Sequence, residues 1–84
     1  MGEIDIIAWD GEMLVFVEVK SRSAGLFGLP QEAVGPLKRR KIIKTALFYA
    51  LRKRLDCPMR FDVIAMKEGA IDHIPNAFDG TGRV

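Results

Sequence analysis

Apolar positions fall into four short runs and one longer periodic stretch, and the two spacings predict different elements. Glu3 to Trp9 is isoleucine-rich and reads as a strand, closed by Asp10-Gly11, a two-residue hairpin signal of type I′. Glu12 to Lys20 reads as a second strand, and its near-continuous β-branched and aromatic centre predicts a strand covered on both faces. From Ser21 to Gly35 the punctuation by Gly25, Gly28, Pro30 and Gly35 predicts a loop. Pro36 suits a first helical turn, and a helix is expected from there to about Arg54. Its predicted buried stripe is Ile43, Leu47, Ala50 and Leu51, with Ile42, Ala46 and Tyr49 beside it, and Asp56-Cys57-Pro58 stops it. Arg60 to Lys67 reads as a third strand, Glu68-Gly69 as a tight turn, and Ala70 to Ile74 as a fourth strand ended by Pro75. The tail from Gly80 is expected to be loose.

The order is strand, strand, helix, strand, strand. Two hairpins supply antiparallel pairs, and a helical crossover carries the chain to a parallel third strand. The expected architecture is α/β: one domain over residues 1–84, with a mixed four-stranded sheet and one main helix. A chain of 84 residues buries only roughly 60–65% of its unfolded surface, so its core is modest.

Composition narrows the class. Half the residues are apolar (49%) and the net charge is +2, which excludes a disordered tail. No apolar run reaches the roughly 20 residues of a membrane span, and the start has no basic segment of the signal-peptide kind. Cys57 stands alone before Pro58, which fits a reducing cytoplasm and gives no catalytic pairing. Charge is unevenly distributed: eight basic residues and no acidic one lie between Lys38 and Arg54, leaving the remainder with 5 basic against 11 acidic residues. A cationic face of this kind suits a polyanionic partner.

Candidate chemistry sits on the first hairpin. Alternation puts Glu18 and Lys20 on one strand face. With Asp10-Gly11 as the loop, Trp9 lies opposite Glu12, Glu3 opposite Glu18 and Asp5 opposite Phe16. Asp5 and Glu18 are then diagonal neighbours, roughly 5.5–8 Å apart at Cβ, and both can reach one Mg²⁺ at about 2.0–2.1 Å. A one-residue slip would separate them, so the inference depends on the turn. Clustered carboxylates repel, and a divalent ion resolves the conflict while preparing phosphodiester hydrolysis. Lys20 would orient or deprotonate the water, or stabilise charge on phosphorus. The plainer alternative is that Glu-x-Lys is an ion-paired edge. Against it, Glu18 and Lys20 interrupt an apolar strand, where buried charge is costly unless used or paired.

Gly2-Glu3-Ile4-Asp5 followed by Phe16-Val17-Glu18-Val19-Lys20-Ser21-Arg22 resembles the PD-(D/E)xK arrangement of restriction-endonuclease-like proteins. The wider pattern resembles the YraN family of small bacterial proteins of unassigned role, and more remotely the archaeal Holliday-junction resolvases. Further matching segments are Phe27-Gly28-x-Pro30-x-Glu32-Ala33-Val34, Lys38, Arg60-Phe61-Asp62-Val63 and Ile74-Pro75-Asn76-Ala77-Phe78-Asp79, so the likeness covers nearly the whole chain. It implies a restriction-endonuclease-like fold, Asp5 and Glu18 as ligands of Mg²⁺ or Mn²⁺, Glu3 as a further candidate ligand, and Lys20 as the catalytic lysine. It implies a nuclease acting on DNA, branched or structured DNA included. The family normally has a helix and a strand before Gly-Glu-Ile-Asp. A chain beginning at that motif is expected to present Glu3–Trp9 as an exposed sheet edge and to form a homo-oligomer through it. The rival expectation is a non-catalytic nucleic-acid-binding or assembly module that keeps the nuclease fold.

The basic stretch supplies the expected nucleic-acid contacts: Arg22, Lys38, Arg39, Arg40, Lys41 and Lys44. Its first-turn cations sit where the helix dipole disfavours them by roughly 0.3–1 kcal/mol each, with no acidic partner four residues on to offset them. The residue types at His73, Asp62 and Trp9 fit a surface or half-buried histidine, a structural ion pair with Arg60 or a helix lysine, and hairpin packing with a stacking role as the alternative.

Overall fold

The computed structural model describes residues 4–22 and 35–78. Glu3, the expected loop glycines Gly25 and Gly28, Pro30, Glu32, Asp79 and the tail from Gly80 lie outside the described residues.

Strands β1 (Ile6–Asp10) and β2 (Met13–Arg22) form the first hairpin, α1 (Pro36–Arg52) follows, and β3 (Met59–Lys67) and β4 (Ala70–Phe78) form the second hairpin. The sheet order is β1-β2-β3-β4, with β2 and β3 parallel and both outer pairs antiparallel. The expected α/β order and mixed sheet are therefore the fold of this chain. No described helix is long and apolar enough to cross a membrane.

The first hairpin corrects the expected turn. Asp10 pairs with Met13, so the loop is Gly11-Glu12 rather than Asp10-Gly11. Gly11 takes the one positive φ of this loop, +63°, at its first central position, as a type II′ turn requires. In the second hairpin Glu68 and Gly69 both have positive φ, the type I′ pattern, and Lys67 pairs with Ala70 as the dipeptide signal implied. The corrected register displaces the β1–β2 pairing by two residues, an even number, so the side chains of the paired stretch Ile6–Asp10 keep their predicted faces.

One face of the sheet carries the core. Leu14, Phe16, Phe61, Val63 and Phe78 pack against Ile42, Ile43 and Ala46 of α1. Phe16 stacks on Phe61, Phe61 on Phe78, and Phe16 meets the edge of Tyr49. Val15 and Val17, on the opposite face of β2, are buried as well, as a central strand demands. Of the predicted helix stripe Ile43 and Ala50 are buried, as are Ile42 and Ala46 beside it, but Leu47 and Leu51 point outward, Leu51 with 77% of its surface exposed, while Arg39 is buried. Apolar residues occur all round α1, so periodicity alone does not separate an inward leucine from one that the packing turns out.

The helix ends in a left-handed cap. Arg54 has φ +56°, its N–H donates to Leu51 O at 3.2 Å, and Leu55 N–H donates to Ala50 O at 2.9 Å. This is a Schellman arrangement with arginine where glycine is usual, and Leu55 closes it against the core.

On the face away from the helix, Asp62 is 1% exposed and fully engaged. Arg60 donates to both its oxygens at 2.8 and 2.9 Å, His73 Nε2 lies 2.7 Å from Oδ2, and Asn76 N–H donates to Oδ1 at 3.0 Å. The last bond explains why β4 runs through Pro75 to Phe78 instead of stopping. The β3–β4 register shifts between Phe61 and Val63, Asn76 takes φ +53°, and Asp62 caps the bulge. Arg60 also reaches Asp10 at 2.9 Å, tying β3 to the first hairpin. The structural reading of Asp62 and its pairing with Arg60 hold.

Two predictions follow from these contacts. Replacing Arg54 by glycine removes the side chain that a left-handed residue tolerates least and should stabilise the domain by about 1 kcal/mol, read as a higher urea midpoint at unchanged slope. Burial pushes the Asp62 carboxyl up, but the Arg60 guanidinium, the Asn76 N–H and His73 outweigh it and hold it below the ordinary value of 3.8. Its contribution to stability is therefore complete above that value and is lost as pH falls through the lower, folded-state value. Asp62→Asn should cost roughly 2–3 kcal/mol at neutral pH and flatten the acid limb of the unfolding curve. A variant with the wild-type acid limb would remove Asp62 from this role.

Candidate metal and phosphate site

Asp5 lies at the open end of the β1–β2 pair, one residue before Ile6, where the pairing of β1 begins. Glu18 follows Val17, the partner of Ile6, on the face of β2 that carries α1. Asp5 is fixed there by its own backbone partner: Val19 N–H donates to Asp5 Oδ2 at 2.9 Å. That bond orients the carboxylate and leaves Oδ1 for other work.

Glu18 is 5% exposed although it interrupts an apolar strand. Two ammonium groups meet its Oε2, Lys38 Nζ at 3.1 Å and Lys20 Nζ at 3.5 Å. Lys20 belongs to the same strand face two residues on. Lys38 comes from the first turn of α1, brought over β2 by the packing of Ile42 and Ala46. Sequence reasoning put Lys38 in a surface patch; in the structure it is part of the carboxylate site. The signal for this was present, since α1 begins at Gly35 with no side-chain cap and no acidic residue in its first turn. A helix start that lacks its own negative charge is served here by a carboxylate from the neighbouring strand.

The two buried carboxylates among the described residues, Asp62 and Glu18, are thus treated differently. Asp62 is saturated by a rigid guanidinium, a backbone N–H and an imidazole. Glu18 is matched by two flexible lysines, whose side chains are 39% and 32% exposed. Lysine ammonium groups on solvated stems can leave without breaking the fold.

The donor set fits a magnesium-type ion. Among the described residues, no three His, Cys, Asp or Glu side chains form a group able to hold a metal. Mg²⁺ does not need such a cage, since it keeps several waters and takes one or two carboxylates plus substrate phosphate oxygens. Asp5 and Glu18 carry hard oxygen donors of the class that such an ion takes. Glu3, the further candidate, lies outside the described residues.

The remaining expected cations separate. Arg39 is buried, with its guanidinium 5.7 Å from the Phe78 ring centre, so it packs in the core and is not on the outer cationic face. Arg40, Lys41 and Lys44 are exposed along α1. Arg22 closes β2 opposite Lys67. His73 belongs to the Asp62 network on the other face of the sheet, and Trp9 is an exposed edge residue.

Comparison with known proteins agrees with the sequence resemblance. Residues 1–66 match the model of the uncharacterised protein family UPF0102. A UPF0102 protein of Syntrophus aciditrophicus is 55% identical over 93% of this chain, and one of Anaeromyxobacter dehalogenans is 48% identical over 98%. The chain spans 65% of the length of each of these relatives. A UPF0102 protein of Geobacter metallireducens is 51% identical over 93% of the chain, which covers 68% of it. With the family model matched over most of its length and relatives of about half identity beside it, the chain belongs to family UPF0102, the YraN family.

Proposed function

We propose that this domain binds DNA and cleaves a phosphodiester bond with the help of Mg²⁺ or Mn²⁺. The observation that supports it is the anchoring of Asp5 on Val19 N–H, next along β2 to the buried Glu18, with Lys20 on the Glu18 carboxylate. Asp5 and Glu18 would hold the ion through carboxylate oxygens. When bound, the ion supplies Lewis-acid polarisation of a phosphoryl oxygen and a water of lowered pKa.

The chain's own residues do the rest. Val19 N–H fixes the angle of Asp5, so the ligand is oriented before substrate arrives. Burial of Glu18 keeps bulk water from its carboxylate and strengthens every charge interaction there. Lys20, held on Glu18 as an ammonium, places N–H donors where negative charge grows on the phosphate oxygens during attack. Arg40, Lys41 and Lys44 extend a cationic track along α1 for the backbone of the same polyanion. A non-catalytic module of the same fold would use this track and leave the carboxylates idle.

Cleavage is tested with duplex, single-stranded and branched DNA in Mg²⁺ or Mn²⁺. Product is expected with wild type and is expected to vanish in Glu18→Gln and Lys20→Met, each compared after circular dichroism shows it folded. DNA binding without cleavage on all three substrates supports the binding module instead. In parallel, millimolar Mn²⁺ should raise the melting temperature of wild type by linkage, and Asp5→Asn should abolish that rise. An unmoved melting curve in a folded sample argues against the carboxylate pair as ligands.

For the basic track, log affinity against log salt should fall with a slope near −0.9 per phosphate neutralised. The triple variant Arg40→Ala, Lys41→Ala, Lys44→Ala should lower that slope by roughly two to three without altering sequence preference. Salt-independent binding would show that the outer face of α1 is only solvated.

A further inference from the structure

Among the described residues, the cation closest to the buried Glu18 is not the lysine of the strand motif. Lys38 Nζ lies 3.1 Å from Oε2, Lys20 Nζ lies at 3.5 Å, and both address the same oxygen. We infer that Lys38 is the resident counter-ion of Glu18, competing with a divalent cation for its carboxylate and moving to the substrate phosphate when the cation enters. The inference rests on the metal-site reading proposed above and adds to it a residue that the strand motif does not contain.

Three features carry it. First, a carboxylate that is 5% exposed cannot stand uncompensated, so some cation must occupy it whenever the metal does not. Second, Lys38 is delivered from α1, whose register against the sheet is set by Ile42, Ile43 and Ala46. Its backbone therefore stays beside Glu18 whatever the ammonium does. Third, the ammonium can move. The Lys38 side chain is 39% exposed, on a four-carbon stem with freely rotating donors, unlike the bidentate Arg60 on Asp62. It also sits in the first helical turn, where the helix dipole disfavours a cation and favours the phosphate that the released ammonium would meet.

A dication and an ammonium on one carboxylate oxygen repel each other at close range. Metal entry therefore displaces Lys38, and Lys38 sets the apparent metal affinity. The displaced ammonium remains tethered to the start of α1, within the reach of its stem from the ion. It would there contact a non-bridging oxygen of the scissile phosphate, a role in binding and positioning rather than in proton transfer.

The test is Mn²⁺ binding by the full chain, followed through the loss of the free-ion electron paramagnetic resonance signal, for wild type, Lys38→Met and Lys38→Arg. Lys38→Met should bind Mn²⁺ roughly tenfold more tightly, since the competitor is gone. Lys38→Arg keeps the charge and should stay within about twofold of wild type. Without metal, Lys38→Met should melt at lower temperature than wild type, and saturating Mn²⁺ should restore more of its stability than it adds to wild type. Should Lys38→Met prove unfolded without metal, Lys38→Gln, which keeps a donor toward Glu18, carries the same measurement. Equal or weaker Mn²⁺ affinity in the neutral variants overturns the role of Lys38 and leaves the metal site standing. No Mn²⁺ binding in any variant overturns the metal-site reading and this inference with it.

Discussion

Burial of β2 on both faces is the constraint from which the rest follows. Leu14 and Phe16 face the helix, Val15 and Val17 face away, and all four are nearly inaccessible. A strand in that position must be flanked on both sides, by β1 and by β3, and must have α1 laid across one face. Any charge it carries is then a buried charge. Glu18 is such a charge, and its place at the end of the apolar run decides where cations have to gather.

The sheet answers the same electrostatic problem in two ways on its two faces. Asp62 is neutralised by groups that cannot readily leave, and it holds the bulge of β4 and the first hairpin together through Arg60. Glu18 is met by Lys20 and Lys38, whose side chains are partly exposed, and its neighbour Val19 holds a second carboxylate, Asp5, in a fixed orientation. Permanent compensation is what a structural site needs. Exchangeable compensation is what the proposed site for a metal ion and a phosphate would need, because both would have to enter a charged pocket without unfolding it.

The cationic residues of α1 divide along similar lines. Composition shows one continuous basic stretch, but packing separates it into three uses. Lys38 serves Glu18, Arg39 packs on Phe78, and Arg40, Lys41 and Lys44 remain on the surface. Leu37, Leu47, Phe48 and Leu51 are interleaved with the exposed cations, so the outer face of the helix is mixed rather than purely basic.

Element type and order were legible in the residues because period-2 and period-3.6 patterns and the turn dipeptides are local signals. The shared face of Glu18 and Lys20 was legible too, since alternation along one strand does not depend on register. Other features depended on contacts between segments distant in the chain. The first turn moved to Gly11-Glu12 because a β-turn is chosen together with the pairing it closes, and Asp-Gly alone does not distinguish two registers of the same parity. The inward face of α1 was misread at Leu47 and Leu51 because a helix with apolar residues all round has no unique buried stripe until the sheet supplies one. The path of β4 past Pro75 needed the carboxylate of Asp62 from another strand. Lys38 was assigned to the surface because sequence carries its charge but not the direction in which α1 crosses β2; only tertiary packing brings that ammonium to Glu18.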